Sequence, residues 1–302
     1  MSSRPVRRLA IASVVANAGI VVTGGAVRLT ASGLGCPTWP RCTATTLTPT
    51  AEYAAHGVIE FTNRMLTFVL TAVVVATLVA VVRQRPRRSS LVRLAALLVL
   101  GIPAQAVLGG ITVLTGLNPW TVMAHFLLSM VLVGIATLLA VRVGEGDAAA
   151  TPLVPEVLRR LSYGVVVVVA VTLAIGTVVT GSGPHSGDPK AGRTGFDPAS
   201  VSQLHADLVM LLIGLSVALW VAVLAVRGPS RAVGLLVLVE AGQALIGWTQ
   251  YFTHLPVVLV GAHLAGACLV LIAACAAALS LRERAATSDP VVPAQSAALA
   301  QV

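Results

Sequence analysis

The sequence predicts an all-α integral membrane protein of eight transmembrane helices, arranged as two repeat-related four-helix bundles. Three observations predict it. The 302 residues are 57% hydrophobic and only 10% charged, with a mean hydropathy of +0.92, whereas soluble domains carry about a quarter charged residues. Apolar runs long enough to cross a hydrocarbon core of roughly 30 Å recur along the chain. The second half also repeats motifs of the first. The formal charge of +9 does not indicate nucleic acid, because the basic residues are spread among short loops rather than gathered into a groove-like patch.

The first run, 9–28, follows Arg4, Arg7 and Arg8. That flank also suits a signal peptide, but the length of the run and the seven spans behind it point to a retained helix. An outer loop, 29–54, rich in Gly, Pro, Ser and Thr, leads to the second span, 55–82. Spans three and four are 91–114 and 120–142, and span five is 158–181. A second long outer loop, 182–200, precedes spans six to eight at 201–226, 232–252 and 255–281. The segment from Ala285 is small, polar and Pro-containing, and is predicted to be disordered. The organisation is therefore an N-terminal half, 1–150, a C-terminal half, 151–284, and a tail, 285–302.

With eight spans both termini share a side. Of the 20 basic residues only Arg28, Arg41, Arg64, Lys190 and Arg193 fall on the other side. The side richer in Lys and Arg is cytoplasmic, so both termini are expected there.

The repeat is carried by particular residues. Val21-Val22-Thr23-Gly24 ends span one and Val178-Val179-Thr180-Gly181 ends span five. Gln105 to Gly109 lies 20 residues before His125, and Gln243 to Gly247 lies 20 residues before His263. Four helices per half return the chain to its starting side, so the repeat is parallel, about an axis along the membrane normal.

His125, His205 and His263 sit at one depth near the outer ends of spans four, six and eight. Ionisable residues inside a membrane are costly and face the bundle interior, which makes them functional candidates; the bland alternative is an interhelical hydrogen bond. Cysteine and carboxylate partners at zinc spacing are missing around them. Opposed histidines on facing helices suit axial ligation of haem iron, and His205 with His263 form such a pair. In the first half the partner of His125 is expected from span two, where His56, Glu60 and Asn63 share a helical face. Asn63 stands at the right depth but is a poor iron ligand, and His56 lies two turns further out. The first site thus reads as one histidine with an open position, which suits oxygen chemistry more than electron transfer.

Glu60 reads either as a proton donor or acceptor beside a reacting group or as an ion pair with Arg64 at i+4. Arg28 and Arg64, near the outer boundary, suit haem propionates or snorkelling to headgroups. Gln105 and Gln243 suit interhelical hydrogen bonds. Cys36 and Cys42, with five residues including two prolines between them, suit a disulfide or a redox-active dithiol. Cys268 and Cys275 read as apolar packing.

The stretch Gly24-Gly25-Ala26-Val27-Arg28-Leu29-Thr30-Ala31-Ser32-Gly33-Leu34-Gly35-Cys36-Pro37-Thr38-Trp39-Pro40-Arg41-Cys42, followed by Ile59-Glu60 and Asn63-Arg64, resembles the haem A synthase family of bacteria. The resemblance covers nearly the whole chain. It implies oxidation of the C8 methyl of haem O to a formyl group, giving haem A for terminal oxidases. It implies haem b on His205 and His263, a substrate haem in the first half, a catalytic Glu60 and a Cys36–Cys42 disulfide. It implies a multi-pass protein of the bacterial plasma membrane whose partners are haem O, haem O synthase, an electron donor and the lipid bilayer, and it admits a homo-oligomer. The sequence departs from the family at Asn63, where many members carry histidine. The rival reading is a di-haem b transmembrane electron-transfer protein, for which two histidines would be expected in both halves.

Overall fold

The computed structural model describes residues 4–285; the predicted tail, past its first residue, lies outside the described residues. Eight helices run in chain order: α1 Arg4–Leu29, α2 Ala54–Arg83, α3 Ser89–Leu114, α4 Pro119–Gly144, α5 Glu156–Ser182, α6 Pro198–Ala225, α7 Arg231–Phe252 and α8 Val257–Ser280. All eight are long and apolar enough to cross a membrane, as expected from the runs. Their outer faces carry apolar side chains in the open, such as Phe68, Leu238 and Val258, the last 80% exposed. Water penalises such faces and lipid does not.

The helix ends follow local chemistry. Asn118 accepts a hydrogen bond from the Trp120 N–H at the start of α4, with Pro119 in the first turn. Asp197 does the same for Ser200 at the start of α6, before Pro198. These caps satisfy orphan N–H groups, and proline needs no donor there. The eighth helix starts two residues later than the apolar run suggests, because His254 and Leu255 both take φ of 60°, a left-handed conformation that breaks helical propagation.

In the first half each helix packs on its sequence neighbours and α1 packs on α4; in the second, α5 likewise packs on α8. Helix α8 also lies against α1 and α4. One apolar core sits among α1–α4, around Leu70, Val74, Leu98 and Leu139. A second sits among α5–α8 and takes in Val21, Met130 and Val133 of the first half. Between α1 and α2, Ser13 and Thr77 share a 2.9 Å hydrogen bond within the bundle. Such a bond holds helices together in lipid, at roughly 0.6–2 kcal/mol.

One feature was not foreseen. Two short strands, β1 Thr151–Pro152 and β2 Arg282–Glu283, pair antiparallel. Around them Arg142 pairs with Glu145 at 2.6 Å and Arg88 with Asp147 at 2.8 Å. The pairing fastens the α4–α5 connection to the end of α8.

Candidate functional site

The three intramembrane histidines obey one packing rule. His125 stands six residues after Pro119, His205 seven after Pro198 and His263 six after Val257. At 1.5 Å per residue all lie about 9–10 Å below their helix starts. Each ring edge faces a glycine on the neighbouring helix. A Cβ placed on Gly109, Gly176 or Gly247 would stand 3.0, 3.1 or 3.1 Å from Cε1 of His125, His205 or His263 respectively. Those rings reach their positions because the facing residue has no side chain.

The glutamines play the interhelical part expected of them. Gln105 donates to the His125 carbonyl at 3.2 Å and Gln243 to the His263 carbonyl at 2.7 Å. Gln105 also donates to Ser129 Oγ at 2.6 Å.

The imidazoles themselves are poorly satisfied by the protein. Nδ1 of His125, His205 and His263 is buried in each case without a hydrogen-bond partner among the described residues. Buried polar atoms left unpaired are costly and call for a partner. The rings of His205 and His263 lie 6.4 Å apart between centroids, at 74°. Two imidazole–metal bonds of about 2 Å and half a ring at each end add up to about that length, so the spacing of the pair fits one metal ion between two imidazoles.

The first half is arranged differently. Asn63 Oδ1 accepts a 2.7 Å hydrogen bond from Thr23 Oγ1, and His56 Nδ1 shares one with Ser32 Oγ at 2.9 Å. Both side chains are thus engaged locally, and neither completes a ring pair with His125.

The cysteine loop connects α1 to α2. Cys36 and Cys42 form a disulfide, as the resemblance implied, and both residues are fully buried. The Trp39 ring of this loop rests on Gly110, next to the glycine that faces His125. Glu60 holds the loop from below. Its Oε2 accepts from the Cys36 N–H at 2.7 Å, and its Oε1 accepts from Arg64 Nη2 and Nε at 2.5 and 3.2 Å. Arg64 in turn donates to the carbonyls of Cys36 and Thr38 at 3.0 and 3.2 Å. The ion pair at i+4 is therefore present, and it doubles as a clamp on the loop.

Arg28 is likewise engaged by backbone, donating to the His185 and Thr180 carbonyls at 2.6 and 3.0 Å. It fastens the end of α1 to the loop between α5 and α6. Trp39 thus joins the loop clamped by Glu60 and Arg64 to the helix whose Gly109 faces His125.

Sequence reasoning missed two things. The role of the three glycines as ring seats escaped notice, although for Gly109 and Gly247 the position four residues after each repeated glutamine was the available signal. Glu240 also escaped notice; it is 3% exposed and bonded to Ser216, and an acid amid an apolar run should have raised it.

Together these features define a multi-pass membrane protein with intramembrane histidines grouped unequally in its two halves. The chain belongs to the family described as Cytochrome oxidase assembly protein (COX15-CtaA), whose profile matches residues 7–185, more than half of its length. It is 32% identical over 186 residues to a Heme A synthase of Symbiobacterium thermophilum, covering 58% of this chain and 59% of that one. It is 29% identical over 120 residues to a Heme A synthase of Geobacillus kaustophilus, covering 40% of this chain and 37% of that one. The matched regions therefore span less than two thirds of these relatives. The profile match ends at 185, before His205 and His263.

Proposed function

We propose that this protein is a haem A synthase, converting the C8 methyl of haem O to the formyl group of haem A. Relatives bearing that name support the reading. The observation that carries it is the inequality of the halves: a histidine pair 6.4 Å apart in one, and in the other a single such histidine together with a disulfide loop clamped by Glu60. A pure electron-transfer protein has no use for that difference.

In this reading His205 and His263 hold haem b, which supplies a one-electron relay. The first half, 1–150, takes haem O as substrate. His125 offers its imidazole to the substrate iron, with Asn63 and His56 on the facing helix and Arg64 and Arg28 near the propionate level. Glu60 serves as acid–base group beside the methyl, fixed in place by Arg64 and the Cys36 N–H. Trp39 and the disulfide close the outer mouth and limit the water that reaches the reacting carbon. The methyl carbon is oxidised twice, each step giving two electrons to an external electron acceptor and taking one oxygen atom from water with release of two protons, and the resulting gem-diol loses water to give the aldehyde. Both termini face the cytoplasm, in a bacterial plasma membrane, and haem O arrives from its synthase.

The test is co-expression with a haem O synthase in cells that lack haem A, followed by haem extraction, chromatography and mass measurement. Haem A or its hydroxylated precursor is expected. Haem O alone, from protein shown to be folded, overturns the proposal.

A further inference from the structure

One acid of the second half has no part in the chemistry above. Glu240 lies near the middle of α7 and is 3% exposed, so protein rather than lipid encloses it. Its Oε1 accepts a 2.9 Å hydrogen bond from Ser216 Oγ of α6, and its Oε2 is buried without a partner among the described residues. Gln243, one turn along, donates to the His263 carbonyl and leaves its own Oε1 buried and unpartnered. Gly247, a further turn along, is the surface on which the His263 ring rests. Positions 240, 243 and 247 share one helical face. The carboxyl therefore sits about 10 Å inward of the histidine pair, along α7.

The repeat sharpens the point. The offset that carries Gln105 to Gln243 carries Ile102 to Glu240, and Ile102 is a buried apolar residue. The acid belongs only to the half with paired histidines.

Other titratable groups on the packed elements are few. Helix α6 brings His205 and, near its outer end, Asp207, which accepts from Gln203 at 2.7 Å. Helix α8 brings His263, Cys268 and Cys275, and α7 itself has Arg231 and Tyr251 at its ends. The hydrogen bond from Ser216 is the one Glu240 makes among the described residues.

We propose that Glu240, held by Ser216, is a proton-binding site coupled to the redox state of the His205/His263 site. This rests on reading that pair as a haem site. One electron delivered there by a one-electron reductant is accompanied by one proton bound at Glu240, and the proton leaves when the electron departs. Two features make the carboxyl suited to this. A hydroxyl can donate to a carboxylate or accept from a carboxylic acid, so Ser216 serves both states. A unit change of charge about 10 Å away, at an effective dielectric near 20, alters a proton-binding constant by on the order of tenfold.

The experiment is a spectroelectrochemical titration of the full-length, haem-loaded protein at a series of pH values, with redox-difference infrared spectra. The wild-type midpoint is expected to fall with rising pH over one window, approaching the one-electron limit of about 59 mV per tenfold change in proton concentration. Glu240→Gln is expected to flatten that slope and remove a carboxyl band from the infrared difference. Ser216→Ala, which keeps the acid, is expected to retain the slope but displace its window. An equal slope in wild type and Glu240→Gln, or none in wild type, with a normal two-histidine spectrum in each, overturns the role of Glu240 alone. Absence of a two-histidine haem spectrum overturns the site reading and this proposal together.

Discussion

Glu60 and Cys36 are joined by a 2.7 Å hydrogen bond from the Cys36 N–H to Oε2 of the carboxylate, so an acid on a membrane-spanning helix directly holds the disulfide loop. The other carboxylate oxygen takes Arg64, whose side chain is only 20% exposed against 8% for Glu60. Replacing Glu60 with Gln keeps an acceptor for Cys36 but leaves Arg64 without its counter-charge. Losing one member of a buried pair costs about 3–5 kcal/mol, and the carbonyls that remain around Arg64 place this case at the lower end. Glu60→Gln is expected to lower the thermal midpoint in detergent and to abolish haem A in extracts. A variant with full haem A yield would remove Glu60 from the chemistry.

The disulfide gives a second prediction. It closes a short loop, with the cysteines six positions apart, for which the chain-entropy account gives about 2 kcal/mol. The double variant Cys36→Ser, Cys42→Ser is expected to lose stability of that order. Both cysteines are fully buried, and the N–H of Cys36 is held by Glu60. Reductant with a thiol label should therefore modify them only as the protein unfolds. Rapid labelling of native protein would instead indicate a redox-active pair.

Much of this was legible in the sequence, for physical reasons. Hydrocarbon thickness sets span length, so the eight helices were readable from runs of apolar residues, and a disulfide was among the readings of Cys36 and Cys42. His125, His205 and His263 stood out because a histidine inside lipid is expensive. Contacts that depend on tertiary approach were not legible. Nothing local in Arg28 announces that it bonds the backbone of the second loop, or in Glu60 that its second oxygen takes a loop N–H rather than an open site. The β1–β2 pair joins residues far apart in the chain, at two residues per strand, too short for any periodic signal.

Asp197 supplies a pH prediction. Hydrogen bonds from the Ser200 hydroxyl and N–H hold its carboxyl below the usual range. A lowered folded value means that the ionised cap stabilises the start of α6 above the unfolded value of about 3.9 and that this contribution is lost as pH falls through the folded value. Amide exchange at Ser200 and Val201, corrected for intrinsic rates, should be flat above that range and rise below it. Asp197→Asn retains a cap and should remove the dependence, whereas Asp197→Ala should fray the turn at every pH. A flat profile in wild type at acid pH would contradict the cap's role.

The glycines facing the histidines give the most selective test of the two-site reading. At Gly247 an added Cβ would stand 3.1 Å from His263 Cε1, closer than ordinary contact, and the ring sits on a helix already tied to α7 through Gln243. The ring therefore has to give by a few tenths of an ångström, which shifts it relative to His205. Gly247→Ala and Gly176→Ala are expected to weaken or lose the two-histidine spectrum while the helices stay folded by circular dichroism. Gly109→Ala, with a Cβ 3.0 Å from His125 Cε1, is expected to spare that spectrum and to impair haem O binding and conversion. Because the three substitutions add the same methyl group at the same depth, a general packing defect would affect all three alike. Equal loss of the spectrum in all three variants would therefore count against two separate sites, and a split between Gly109 and the other pair would support them.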